Sequence, residues 1–188
     1  MLPTLSSSFI FNFPSDYLPQ IVLQDYKGFL DQYHLPYDNI VDFLNSTIKS
    51  VNFPGFSYDT AKQTKMRGKE IDYRSAKPLQ DLATAREITV TFKSVMGDAN
   101  YFLCLDIFQK HYLDKEHIYI TPFRIIQLDM FRNAVYAINM YQILSTSLSD
   151  NQFDYSVQKL NSKEFTMAFK FNYHEIIDFT TKTKIVDT

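Results

Sequence analysis

The clearest signal in the chain is a two-residue alternation. Between Glu87 and Lys93, Ile88, Val90 and Phe92 take one set of positions and Thr89, Thr91 and Lys93 the other. Between 164 and 173, Phe165, Met167, Phe169 and Phe171 alternate with Thr166, Ala168, Lys170 and Asn172. A period of two places each set on one face of a pleated strand, so both segments read as strands with one buried face. Half-buried strands of this kind belong to antiparallel sheets. Weaker strand patterns lie at 123–129, 134–144 and 152–158. Residues 8–13 alternate around Phe9, Phe11 and Phe13. Residues 20–23 read as a short strand and 27–33 as a helical turn, with Pro14 and Pro19 interrupting this part of the chain.

Two segments follow the helical period instead. In 36–50, Ile40, Phe43, Leu44, Thr47 and Ile48, continued by Val51, form one stripe behind Pro36 and Asp38, which suit a first turn. In 98–113, Asp98 is positioned as an N-cap, and Tyr101, Phe102, Leu105, Phe108 and Tyr112 form the expected apolar face. Asn52-Phe-Pro-Gly-Phe signals a turn. Residues 58–80 are polar and read as a long exposed loop, and 176–188 as a tail or edge. The order of elements predicts a mainly β (α+β) fold: an antiparallel β-sandwich or barrel-like subunit with one flanking helix near 98–113 and an extra N-terminal helix near 36–50. Residues 1–188 make a single domain with an N-terminal elaboration over 1–50.

Composition narrows the function. Phe and Tyr are abundant (17 and 13), Trp is absent, and Gly occurs only 4 times. Aromatics suit pleated surfaces. Scarce Gly and the lack of G-x-G-x-x-G, Walker A, G-x-S-x-G and H-E-x-x-H patterns argue against phosphate-cradling and common hydrolytic enzymes. The single cysteine, Cys104, cannot form an intrachain disulfide. The net charge of −2 gives no chain-wide basic field. No apolar run approaches the ~20 residues of a membrane helix. The N-terminus carries no basic stretch before its apolar residues, which argues against a signal peptide.

Candidate chemistry is sparse. His111, Asp114, Glu116 and His117 cluster in sequence but straddle the predicted end of a helix, so a solvated terminus accounts for them better than a metal site. His34 and His174 lack ligand spacing and read as packing or surface residues. Cys104 lies between Leu103 and Leu105 and reads as a small core residue. Asn45-Ser-Thr is a formal glycosylation sequon inside a predicted helix and reads as chance. No catalytic residue, cofactor or metal is expected.

The loop is the one charged feature. Lys62, Lys65, Arg67, Lys69, Arg74 and Lys77 outnumber Glu70 and Asp72 by four between 60 and 78. Three readings stay open: a solvated loop, docking on an acidic patch of another subunit, or contact with nucleic acid. Only Tyr58 and Tyr73 could stack on bases.

Several stretches, taken in order, resemble the tail tube proteins of contractile-tailed bacteriophages, relatives of the type VI secretion tube protein. Val51-Asn-Phe-Pro-Gly-Phe resembles the strand that leads into that family's long stacking loop, and 62–78 stands in the loop's place. Asp81-Leu-Ala-Thr-Ala-Arg-Glu-Ile-Thr-Val-Thr-Phe resembles the return strand, and 97–113 the family's helix. Ser147-Leu-Ser-Asp-Asn-Gln-Phe-Asp-Tyr-Ser and Glu164-Phe-Thr-Met-Ala-Phe-Lys-Phe-Asn-Tyr resemble the closing strand pair.

The resemblance covers about 50–175 and implies a non-enzymatic virion protein, made in the host cytoplasm. It would assemble with itself into hexameric rings stacked as an inner tube through which DNA passes, without lasting DNA contact and without a membrane. Sheath, baseplate and tape-measure proteins are the implied partners. The stacking loop would present Lys62, Lys65, Arg67, Lys69, Arg74 and Lys77. Ring-forming or lumen-facing strand residues would come from Thr89, Thr91, Lys93, Thr166, Lys170 and Asn172. The helix at 36–50 and the long arm before it depart from a minimal tube subunit, which leaves a tube initiator, tube terminator or baseplate role as the alternative.

Overall fold

The computed structural model describes residues 9–14, 17, 26, 28, 31–32, 34, 36–37, 39–55, 60–64, 70–74, 86–95, 97–113, 118–151, 163–179 and 184–186. Its elements run β1 (Phe9–Asn12), α1 (Ile40–Ser46), β2 (Ile48–Asn52), β3 (Thr60–Thr64), β4 (Glu70–Arg74), β5 (Glu87–Lys93), α2 (Ala99–Leu113), β6 (Phe123–Leu128), β7 (Ala134–Leu148), β8 (Glu164–Asp178) and β9 (Lys184–Val186). The fold is mainly β, as the alternation predicts. One antiparallel sheet runs β1-β6-β7-β8-β5-β2, with β9 added on β8; β3 and β4 form a separate pair. The segments predicted at 20–23 and 152–158, and most of that at 27–33, lie outside the described residues.

The sheet curls until its two ends approach each other. Phe13, just past edge strand β1, stacks on Phe92 of β5 at a centroid distance of 6.1 Å and meets Phe123 of β6 edge-on at 5.3 Å. Where β1 and β2 could have met, α1 fills the gap. Asn45 of α1 accepts the Phe13 N–H (2.8 Å) and donates to the Phe13 carbonyl (3.4 Å). One side chain thus supplies the donor and acceptor that a neighbouring strand would have offered. The core inside is dominated by rings, among them Phe11, Phe13, Phe92, Phe123, Phe165, Phe169 and Phe171. Most pairs are edge-on or offset, the arrangements that ring quadrupoles favour.

Several boundaries differ from the sequence reading, each for a local reason. The first helix starts at an Asn39 cap, whose side chain accepts the Asp42 N–H at 2.8 Å while donating to the Asp42 carboxylate at 2.7 Å. It ends at Thr47, which bonds back to the Leu44 carbonyl through both its N–H and its hydroxyl. Ile48 and Val51 therefore belong to β2, where they pair with Phe92 and Val90. The long loop contains a hairpin, because 60–64 and 70–74 pair antiparallel from Thr60 opposite Arg74 to Thr64 opposite Glu70. The C-terminal tail holds more sheet than expected: β8 continues to Asp178 and β9 pairs with it.

The second helix is rotated from its expected face. Asn100, Leu103, Cys104 and Ile107 are buried, while Phe102 and Tyr112 are exposed. The smaller side chains let the helix sit close to the sheet. Asn100 fixes the approach, donating to the Lys93 carbonyl (2.7 Å) and accepting the Val95 N–H (3.1 Å). Asp98 has φ +68° and spends its carboxylate elsewhere.

Both long strands shift phase at one place. On β8 the large side chains turned into the core run 165, 167, 169 and 171, after which His174 is the next buried one; on β7 they run 138, 140 and then 143, with Ala137, Asn139 and Ala168 also buried. Gln142 has φ +52°, and Asn172 donates to its side chain at 3.0 Å. Pairing survives because both strands slip together: Tyr141 still faces Tyr173, and Ile143 faces Phe171.

Candidate assembly surfaces

The outer face of the sheet gathers the strand residues singled out in the sequence. Thr91 lies opposite Thr166, Thr89 opposite Ala168, Lys93 opposite Glu164, and Lys170 opposite Glu87. β2 extends the row with Ser50 opposite Thr91 and Asn52 opposite Thr89. Thr89, Thr91 and Thr166 are half-buried; Lys93, Lys170 and Asn172 are exposed. Charges on this face are interspersed. Glu164 lies in register with Lys93 and also pairs with Lys49 at 2.6 Å. Asn172 donates to Gln142 at 3.0 Å and reaches the Tyr119 hydroxyl at 3.5 Å. The result is a hydroxyl-, amide- and ion-pair-bearing surface across β2, β5 and β8, continued by Gln142 of β7.

The predicted stacking residues are only partly within the described structure. Lys62 is exposed on β3, directly opposite Asp72, and its ammonium reaches Glu70 at 3.2 Å. The pair is exposed at both ends and adds little stability. Its consequence is that this cation already has acidic neighbours in its own hairpin. Arg74 ends β4; Lys65, Arg67, Lys69 and Lys77 lie outside the described residues.

Asp98 organises the end of the sheet near the start of α2. Its carboxylate accepts from the Ser94 hydroxyl, from Lys163 (2.9 Å) and from Asn151 (3.2 Å). Burial pushes this carboxyl up, but the Ser94, Lys163 and Asn151 hydrogen bonds outweigh it and hold the group below the usual carboxylate range. The loops beside β5, β7 and β8 are thereby tied to one anion.

The remaining titratable groups behave as packing residues. His174 lies against Phe53 and Phe171, and burial, with Arg86 nearby, lowers its pKa. Burial pushes the Cys104 thiol well above its ordinary range, so it is not a poised nucleophile. His111 meets the Tyr17 carbonyl at 3.1 Å, and Asp114, Glu116 and His117 lie outside the described residues. Among the described residues, no group of three or more His, Cys, Asp or Glu side chains is placed to hold a metal, and no helix is long and apolar enough to cross a membrane.

A concave apolar site was missed in the sequence. Phe108, His111, Tyr112, Ile118, Ile120, Leu144 and Ser145 line a pocket of about 200 Å³ between the end of α2 and β7. It lies where α2, burying Leu103, Cys104 and Ile107, leaves Tyr112 exposed beside the partly buried Phe108. The alternation of aromatics in 101–112 could not reveal which helix face would be buried.

No protein-family model matches the sequence, and no curated protein matches it. Solved structures do. The anti-feeding prophage cap, described as the AFP tube terminating cap, matches with a TM-score of 0.55 at 11% identity, over 95% of this chain and 93% of that one. A chain of the anti-feeding prophage baseplate, 6-fold symmetrised, matches with a TM-score of 0.52 at 10% identity, over 95% of this chain and 97% of that one. The chain shares its fold with these two anti-feeding prophage chains. Both matches span 95% of this chain.

Proposed function

We propose that this chain is a structural, non-enzymatic subunit of the tube of a phage-tail-like contractile particle. The observation that carries the reading is the shared fold over 95% of the chain with an AFP tube terminating cap and a baseplate component. Subunits join into hexameric rings. β1 and β2 are the two ends of the sheet, and contacts between neighbours in a closed ring would cover whatever α1 leaves exposed of them. The polar face bearing Thr89, Thr91, Lys93, Thr166, Lys170 and Asn172 lines the lumen, where mixed, paired charges let DNA pass without being held. The β3–β4 hairpin, with Lys62 on β3 and Arg74 at the end of β4, stacks one ring on the next. Sheath and baseplate proteins are its partners in the particle.

A second reading places the chain at a tube end, as a cap, terminator or initiator. It is favoured by the identity of the full-length structural matches, which are cap and baseplate chains, and by the α1 unit that fills the sheet gap. Negative-stain microscopy of the purified protein at high concentration separates the two. Long hollow tubes establish the stacked-ring reading, single rings that never extend establish the tube end, and a strict monomer at every concentration and salt rejects both.

A further inference from the structure

The chain carries a rigid apolar knob as well as the apolar pocket. The β6–β7 connection is a tight turn built around Asp129. The Asp129 carboxylate accepts the N–H groups of Phe131 and Asn133 (both 2.8 Å) and the Asn133 side-chain amide (3.1 Å). The Asp129 N–H closes the turn onto the Asn133 carbonyl at 2.9 Å, and Arg132 takes φ +65°. This fully bonded frame presents Phe131 69% exposed and Met130 48% exposed. A turn of this kind needs only polar residues at its tip. Two large apolar side chains held out on a pre-ordered frame give a knob whose burial costs little further ordering.

The pocket suits that knob in size and chemistry. An apolar cavity of ~150 Å³ is enough to take up benzene, and this mainly apolar one measures about 200 Å³, with Phe108, Tyr112, Ile118, Ile120 and Leu144 around it and His111 and Ser145 as its polar members. Its rim is apolar too: Tyr112 is 83% and Ile118 64% exposed. Knob and pocket cannot meet within one molecule. They lie far apart along β7, from Ala134 beside the turn to Leu144 in the pocket wall, roughly 33 Å of strand at ~3.3 Å per residue. Complementary features far apart on one subunit generate head-to-tail contacts.

We propose that the Met130–Phe131 tip of one copy seats in the Phe108/Tyr112/Ile118/Leu144 pocket of the next copy. This inference rests on the self-assembling tube reading and names the contact. The test uses two single variants, Phe131→Cys and Ile118→Cys, one carrying a size tag. Cys104 is buried, so the introduced thiols are the reactive ones. Mild oxidation of the mixture should give a mixed disulfide as the main product, with each variant alone giving at least tenfold less dimer. Phe131→Asp and Ile118→Asp should each weaken self-association tenfold or more by sedimentation without lowering the melting temperature, and the double variant should be no weaker than either single one. Rings or tubes that form normally from Phe131→Asp, with no mixed disulfide, overturn the tip–pocket contact while leaving the tube reading intact. A wild-type protein that never self-associates overturns both.

Discussion

Two parts of the molecule build one core by different means. Strands β5 to β8 hold together through long backbone ladders; β7 and β8 pair from Tyr136–Asp178 to Leu148–Met167. The N-terminal unit of β1, α1 and β2 is attached by short strands, inserted rings and one amide side chain. Phe13 touches five other rings, and Asn45 stands in for a strand. A ladder spreads its backbone hydrogen bonds over many positions, so a local loss is shared along the strands. A plug concentrates its attachment in a few side chains. The arm is thus closed onto the sheet by groups that can be removed one at a time.

The largest test of that contrast is Phe13→Ala. It should cost about 3–5 kcal/mol, the usual penalty for emptying a large core site. Hydrogen exchange should rise first at residues 9–13 and 40–52, with β7 and β8 protected. Phe169→Ala, equally buried at the centre of β8, should cost as much but lower protection throughout. Equal patterns from the two variants would erase the distinction between plug and ladder.

Asp98→Ala tests the ladder side. Removing an anion that receives three hydrogen bonds should cost about 2 kcal/mol and loosen the ends of β7 and β8 together. Asn45→Ala tests the arm, at about 1–2 kcal/mol, with loss confined to the N-terminal unit. Urea melts with unchanged slope read both values.

Acid gives a smaller, graded effect. His174 has a lowered folded pKa, so the unfolded chain takes up its proton first; this contribution is present above about pH 6.5 and is lost as pH falls through the folded value. Asp98 is also lowered, so its contribution is present above about pH 4 and fades below that. Stability should therefore fall in two steps, and His174→Phe should abolish the upper one. The least effect belongs to the outer face: Thr91→Ser or Lys170→Gln should change stability by no more than about 0.5 kcal/mol.

The same contrast governs what could be read from sequence. Ile88, Val90 and Phe92 against Phe165, Met167 and Phe169 alternate because ladder strands impose a strict period of two, and the polar row between them followed at once. The end of α1 was hidden because Ile48 and Val51 satisfy both a helical stripe and a pleat; the Thr47 cap decides between them. The continuation of β8 was hidden by the phase shift at 172–173, which breaks the alternation. The pocket was invisible because aromatics line both sides of α2, and only packing selects Leu103 and Ile107 as the inward ones. The knob did leave a trace: a lone Met-Phe pair inside Asp129–Asn133, between two strands, where polar residues are expected.

The paired slip at Gln142 and Asn172 has a consequence for how such a chain can change over generations. Beyond the slip, inward and outward residues exchange odd and even numbering on both strands at once. A single-residue insertion or deletion in only one strand would turn half of its side chains inside out. Length changes there are tolerable only as matched events in β7 and β8, so descendants of this sequence should gain or lose residues at these two places together.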